Sequence, residues 1–218
     1  MLTSSEINRI KAILMTTDFL SVSSGRKLYA ITLTPVINGV WKAGLWSRSN
    51  PFEPSLGSRL STREENALAR FLSARDEYVL DLFDLFELSL NRRLCNNWKR
   101  RHSKPAYTFG AVEHHEKNSR TFCAPHIHGL LAIEPAFVPV LERHLNLING
   151  HKRFDLNCLQ GSAWESKRHL IDSVVIDPLM TPEDVQRWSG YSFDINKMTF
   201  NTTTRGTRNA NHQLQCAS

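Results

Sequence analysis

Two apolar runs that are close together in the sequence place the strongest constraint on the fold. Residues 106–117 read "AYTFGAVEHHEK" and residues 124–134 read "APHIHGLLAIE", with the turn-forming residues "NSRTF" between them. Both runs are rich in β-formers, so together they predict an antiparallel hairpin. Successive residues of a strand point to opposite faces, so His126 and His128 share one face and Ile127 lies on the other.

A carboxylate or a third imidazole is predicted to join these two histidines. Folding the hairpin about residues 119–121 brings either Glu113 or His115 beside them, depending on the register. One interpretation is that His126 and His128 are solvated residues of an edge strand. The other is a metal site, in which two imidazoles, one carboxylate and open positions suit Mn²⁺ or Mg²⁺. Zinc would more often have four protein ligands or a cysteine.

The rest of the chain alternates predicted helices and strands. An amphipathic helix is predicted over residues 3–20, a strand over 27–36, and a loop or weak hairpin over 37–60. A helix is predicted from Ser61 or Thr62 to about residue 101, another over 136–150 ended by Gly150, and a strand over 169–179. A last helix begins with Thr181 as N-cap and Pro182 at its first position.

This order of elements predicts an α+β fold, with a central antiparallel sheet and helices packed mainly on one face. A ferredoxin-like arrangement is its simplest version. We expect one domain over residues 1–198, in which residues 1–25 form an N-terminal helical extension. Residues 199–218 have no apolar period and are predicted to be a flexible polar tail.

The charge of the chain indicates which class of partner it binds, and its cysteine content indicates in which cellular compartment it works. The chain has 27 Lys and Arg against 21 Asp and Glu, a net charge of +6 that suits a polyanionic partner. Its four cysteines have no C-x-x-C spacing, and no run has the length of a membrane span or of a signal-peptide core, so we expect a cytoplasmic protein that does not contact a membrane.

One basic stretch stands out, at residues 92–104. It is either the solvated C-terminal end of a helix, where cations compensate the helix dipole, or an edge that binds the phosphates of single-stranded DNA. It contains no acid, and its six candidate DNA-binding residues are Arg92, Arg93, Lys99, Arg100, Arg101 and Lys104.

Three segments resemble motifs of the HUH endonucleases, in particular the initiators of rolling-circle replication. "PHIHGLL" resembles the histidine–hydrophobe–histidine motif, and "YAITLTP" at residues 29–35 resembles a second motif of the family. The segment "SVVIDPLMTPEDVQRWSGYSFDINKM" resembles the layout around the tyrosine-bearing helix. These motifs follow the family's order and span roughly residues 27–198.

The resemblance implies a function and assigns roles to residues. His126, His128 and Glu113 would ligate Mn²⁺ or Mg²⁺, Tyr191 would be the nucleophile, and Lys197 would assist it. The chain would nick and rejoin single-stranded DNA at an origin hairpin of a plasmid or phage. No P-loop sequence occurs, so a host helicase would be a separate partner. The alternatives are a transposase or relaxase, or a DNA-binding protein of the same fold that does not cleave.

The tyrosine motif departs from the family's pattern in one respect. The family usually spaces its tyrosine and lysine by three or four residues, whereas Tyr191 and Lys197 are six apart. On a regular helix six residues correspond to a rotation of about 240°, so the two would not share a face. Either the helix ends near Gly190, or Lys197 is not the partner, or the nucleophile is missing and Phe193 occupies its position.

Overall fold

The fold is seen in a computed structural model that describes residues 17, 19–21, 23–36, 62–115 and 122–192. Of the helix predicted over residues 3–20, it describes residues 17, 19 and 20, and all three are helical. The predicted loop at 37–60, the turn at 118–121, Lys197 and the tail at 199–218 lie outside the described residues.

Besides the helical residues at 17 and 19–21, six strands and four α-helices make up most of the described part of the chain. In chain order they are β1 (Lys27–Pro35), α1 (Thr62–Leu94), β2 (Ala106–His115), β3 (Phe122–Ile133), α2 (Val138–Glu142), β4 (Leu145–Ile148), β5 (His151–Phe154), α3 (Ser162–Lys167), β6 (Ile171–Pro178) and α4 (Pro182–Ser192).

All six strands belong to one antiparallel sheet with the order β2-β3-β1-β6-β5-β4. Helix α1 connects β1 to β2, and the segment with α2 and α3 connects β3 to β6. The four strands β6-β1-β3-β2 therefore form the β-α-β-β-α-β arrangement of ferredoxin-like folds. The small β4–β5 hairpin extends the sheet beyond β6. The predicted α+β fold with a central antiparallel sheet is confirmed.

The main core lies between the sheet and helix α1. Ile31, Ile127 and Phe86 are among its fully buried residues, and Trp164 of α3 packs into the same cluster. The opposite face of the sheet carries a smaller apolar cluster around Phe109 and Leu130, against which α4 packs. Most helical mass thus covers one face, and α4 covers part of the other.

Polar side chains of α1 attach this helix to β2. The Glu87 carboxylate accepts hydrogen bonds from Lys104 Nζ at 2.7 Å and from the backbone amide of Thr108 at 3.0 Å. The Asn91 amide bonds both the N–H and the C=O of Ala106, at 2.8 and 3.0 Å. These buried contacts satisfy the groups at the start of an edge strand.

One secondary-structure prediction was wrong. The helix expected over residues 136–150 is interrupted: after a 3-10 turn at Pro135–Phe137, α2 ends at Glu142, and the chain then forms the β4–β5 hairpin. Asn149 and Gly150 both have positive φ, 52° and 80°, as the tight turn of a two-residue hairpin requires. Gly150 therefore supplies the turn and does not end a helix. Within the described ranges, none of the helices combines the length and the apolar composition that a membrane crossing needs.

Candidate metal centre

The register of the β2–β3 hairpin determines which residue joins the two histidines. Glu113 pairs with His126, and Ala111 pairs with His128, so Glu113 lies on their face of the sheet. His115 pairs with Phe122, after an irregularity in the ladder, and is therefore farther from the pair along the strand. Of the two alternatives that the sequence left open, the structure selects Glu113.

The polar ends of the three side chains converge. His126 Nε2 and His128 Nε2 are 3.0 Å apart, and Glu113 Oε2 lies 3.0 Å from His128 Nε2 and 3.5 Å from His126 Nε2. The two rings are nearly perpendicular, with centroids 4.6 Å apart. Two nitrogens and one carboxylate oxygen thus face a common point, and this group could hold a metal ion.

These separations suit ligands of a single ion. Metal–ligand bonds of about 2.1 Å at angles of about 90–110° place neighbouring ligand atoms about 3.0–3.4 Å apart. The alternative of solvated histidines on an edge strand does not describe the site. Strand β3 lies between β2 and β1, the side chains of Glu113 and His128 are buried, and His126 is partly exposed. The group is therefore open to solvent on the side of His126.

The ionisation of Glu113 is set by two opposing effects. Burial by itself would raise the pKa of its carboxyl, but hydrogen bonds and charge interactions with His126 and His128 outweigh burial and hold that pKa well below its usual range. The carboxylate is therefore charged at neutral pH, as a ligand for a divalent cation must be.

Thr32 contacts the centre from the neighbouring strand. It pairs with His128 in the β1–β3 ladder, and its Oγ1 lies 2.9 Å from His128 Nδ1. This hydrogen bond fixes the ring orientation and leaves Nε2 directed at Glu113 and His126. If Nδ1 is the donor, Nε2 presents a lone pair to the Glu113 carboxylate, an arrangement that a bridging cation stabilises. Thr32 was not predicted as a site residue, although it belongs to the "TLT" sequence.

Helix α4 packs beside the centre, and Trp188 makes the closest contacts. The Trp188 indole N–H donates to the carbonyl of Gly129 at 2.6 Å, and its ring meets His128 edge-on at a centroid distance of 5.3 Å. Just before α4, the backbone N–H of Leu179 donates to the carbonyl of Leu28, and Leu28 pairs with Ala132 in the β1–β3 ladder. Helix α4 therefore runs along the sheet from the level of Ala132 towards that of His128. Trp188 is a second residue whose role the sequence did not predict.

The predicted nucleophile lies on this helix. The backbone of α4 is helical through Gly190 to Ser192, and the following residues, Phe193 among them, lie outside the described ones, so the alternatives for the tyrosine motif stay open. Position 191 follows Trp188 by three residues, which places it about 60° from Trp188 around the helix and about 4.5 Å farther along it. The direction of α4 therefore carries position 191 towards the metal ligands. Lys197 lies outside the described residues, and its predicted role is untested.

The predicted DNA-binding residues are not beside the metal centre. They lie at the end of α1 and in the connection to Ala106, the first residue of β2, whereas Glu113 is seven residues farther along that strand, roughly 23 Å away. Lys104 is buried in its ion pair with Glu87, and Arg101 makes a two-bond ion pair with Glu134. Five of the six are exposed, and four of these five, Arg92, Arg93, Lys99 and Arg100, form no ion pair with a carboxylate of the described residues.

Comparison with known proteins gave no match. No family model, no curated protein and no solved structure matches the chain.

Proposed function

We propose that the chain is a metal-dependent enzyme that nicks and rejoins single-stranded DNA through a tyrosine, as the HUH endonucleases that initiate rolling-circle replication do. The observation that supports this most strongly is the convergence of Glu113, His126 and His128 on one sheet face beside the helix that carries Tyr191. A three-ligand group with an open side suits a cation that also contacts a phosphate oxygen.

The chemistry follows from these residue types. A divalent cation held by the three ligands, Mn²⁺ or Mg²⁺, would polarise an oxygen of the scissile phosphate. The phenol of Tyr191 loses its proton, and its oxygen forms a bond to phosphorus while the bond from phosphorus to the 3′ oxygen breaks. The leaving 3′ oxygen takes up a proton, so the products are a 5′-phosphotyrosine and a free 3′-hydroxyl. Attack by a 3′-hydroxyl reverses the step and joins a strand.

Other groups would complete the reaction. Lys197 or another cation would stabilise the phosphotyrosine, and a separate host helicase would expose the single strand at the origin hairpin of a plasmid or phage. The transposase or relaxase alternative uses the same centre and differs in the DNA that it processes.

The decisive experiment detects the covalent intermediate. Single-stranded oligonucleotides of random sequence, labelled at the 3′ end, are incubated with the protein and Mn²⁺, and adducts are separated in denaturing gels. We expect a labelled adduct with the unmodified protein and none with Tyr191→Phe. Tyr78→Phe is the matched control, because it removes the hydroxyl of a tyrosine that packs on the core, and its adduct should persist.

A second pair of variants tests the metal ligands. His126→Ala should lose both Mn²⁺ binding and adduct formation, whereas His151→Ala, a change at an exposed histidine, should keep both. An adduct that survives Tyr191→Phe would mean that another residue is the nucleophile. Cleavage by His126→Ala would remove the metal mechanism. Binding of single strands by the unmodified protein without any adduct would favour the non-cleaving DNA-binding protein.

A further inference from the structure

Four arginines from separate parts of the chain gather around the C-terminal end of α1. Arg93 donates to His144 Nε2 at distances of 3.1 and 3.3 Å, and the guanidinium of Arg92 lies against Gly161. Arg168 contacts the short segment after β5, where its guanidinium donates a hydrogen bond to the side chain of Asn157 at 3.2 Å. Arg143 precedes His144 in the chain, its charge contributes to lowering the pKa of His144, and its guanidinium donates to the carbonyl of Pro139 at 3.1 Å. We call this group the arginine cluster; its members are Arg92, Arg93, Arg143 and Arg168.

The charge of the arginine cluster is not neutralised by ion pairs. Among the described residues, no carboxylate forms an ion pair with any of its four members. Arg93 is held by a neutral acceptor, since burial and the nearby Arg93 guanidinium lower the pKa of His144. Asp155 lies in this neighbourhood, and its carboxylate accepts from the backbone N–H of Asn157. Glu142, next to Arg143 in the chain, is paired with Lys27, and Glu165 of α3 follows Gly161 by four residues. All four arginines are exposed, so the cluster presents fixed positive charge to solvent.

The cluster differs from the metal centre in position and in chemistry. The residues around it, including Phe154 and Cys158, pack into the core on the α1 side of the sheet, whereas His126 and His128 face the other side. Its aromatic neighbours Phe154 and Trp164 are buried at 5% and 1% exposure, so they offer no ring for a base to stack on. Binding of single strands normally uses such rings, whereas duplex DNA presents its phosphates and keeps its bases stacked.

We infer that the arginine cluster is a second DNA-binding surface, which contacts the phosphate backbone of double-stranded DNA next to the single strand that is cleaved. This inference rests on the proposed function, because it assumes a nucleic-acid substrate. The proposed surface differs from the basic stretch that the sequence predicted. It keeps Arg92 and Arg93, adds Arg143 and Arg168 from other elements, and excludes Lys104, whose side chain is buried in the core.

The test measures how binding of a fluorescent 20-base-pair duplex depends on salt, with EDTA present so that cleavage plays no part. The variant Arg92→Gln/Arg143→Gln removes two charges from the cluster. Each lost phosphate contact lowers the slope of log K against log salt by about 0.9, so we expect a decrease of about 1.8. The matched control is Lys27→Gln/Arg101→Gln, which removes two charges that are already paired with Glu142 and Glu134, and its slope should change by clearly less.

The outcomes separate this inference from the proposed function. Equal slopes for the cluster variant and the unmodified protein would overturn the inference, and so would an equally large loss of affinity for a single-stranded oligonucleotide. Adduct formation on short single strands is scored with the same variants and should be unchanged. If no adduct forms with any protein while the duplex slope still decreases as expected, the proposed function fails and the duplex surface stands.

Discussion

At the scale of single residues, the metal centre depends on how His128 is held. Its ring is fixed by Thr32 through Nδ1 and by the edge of Trp188, while its Nε2 faces Glu113 and His126. Partners of a metal-ligating histidine keep the ring in the orientation and tautomer that ligation needs. Thr32 is therefore a positioning residue for the centre.

Thr32→Val tests this role. Valine keeps the shape of the side chain and removes the hydrogen bond to Nδ1, so we expect Mn²⁺ affinity to fall by about 10- to 100-fold. The affinity is measured by the loss of the free Mn²⁺ signal in electron paramagnetic resonance. Thr34→Val is the control: it removes the same hydroxyl two residues farther along β1, at a position paired with Ser173. Equal affinities for both variants would contradict the role of Thr32.

At the scale of elements, helix α4 determines where the proposed nucleophile, Tyr191, lies along the sheet. The helix is tied to β3 by the Trp188 indole N–H, which donates to Gly129. Its start is a capping arrangement: Asp184 N donates to Thr181 Oγ1 at 3.1 Å, and Asp184 Oδ2 accepts from Thr181 N at 3.1 Å. The bond from Trp188 ties α4 to β3, and the cap stabilises the first turn of the helix.

Trp188→Phe should slow the reaction more than it weakens metal binding. Phenylalanine keeps a ring near His128 but loses the hydrogen bond that sets the position of α4 on β3. A small displacement of the nucleophile lowers the rate of adduct formation, by ~10- to 100-fold, while the Mn²⁺ ligands stay in place. Adduct rates and Mn²⁺ affinity are measured on the same samples, with Trp98→Phe as the control. A parallel loss of both quantities would mean that Trp188 serves only to stabilise the centre.

The cap of α4 predicts a pH effect on stability. Backbone hydrogen bonds from Thr181 and Met180 lower the pKa of Asp184 below its usual value of 3.8. A carboxyl with a depressed pKa stabilises the folded state above its unfolded-state value, and this contribution is lost as the pH falls below about 3.8. The thermal midpoint of Asp184→Asn should therefore fall less between pH 5 and pH 3 than that of the unmodified protein. Asp172→Asn, at an exposed position of β6, is the comparison.

At the scale of the whole molecule, the buried pair of Glu87 and Lys104 holds the long helix on the sheet. Lys104 Nζ lies 2.7 Å from Glu87 Oε1, and the two side chains are only 11% and 10% exposed. Glu87 also accepts from Thr108 in β2. Removal of one partner from such a pair leaves a buried charge without compensation.

Lys104→Met should lower the free energy of unfolding by about 3 kcal/mol or more, because the Glu87 carboxylate remains buried without its cation. Arg101→Met is the control, since the partly exposed pair with Glu134 is expected to contribute less than about 1 kcal/mol. Urea unfolding followed by circular dichroism measures both. A similar small loss for the two variants would contradict the structural role of Lys104.

Local sequence signals were sufficient for several elements. Runs rich in β-forming residues predicted the strands at 27–36, 106–117, 124–134 and 169–179, and Thr181 and Pro182 predicted the start of α4, within a few residues of the observed bounds. The prediction of a helix over residues 136–150 was wrong because short apolar runs suit either a helix or a strand. The Asn149–Gly150 pair favours a tight hairpin turn with positive φ.

By itself, the sequence determined the shared face of His126 and His128, since strand alternation is a local property of the backbone. It also determined the order of elements from which the α+β fold follows. Only the tertiary structure decided that Glu113 rather than His115 joins the histidines, because register depends on pairing between strands. The tertiary structure also decided three further features: the contacts of Thr32 and Trp188, the burial of Lys104 and the assembly of the arginine cluster. Each of them joins residues that packing brings together from separate parts of the chain.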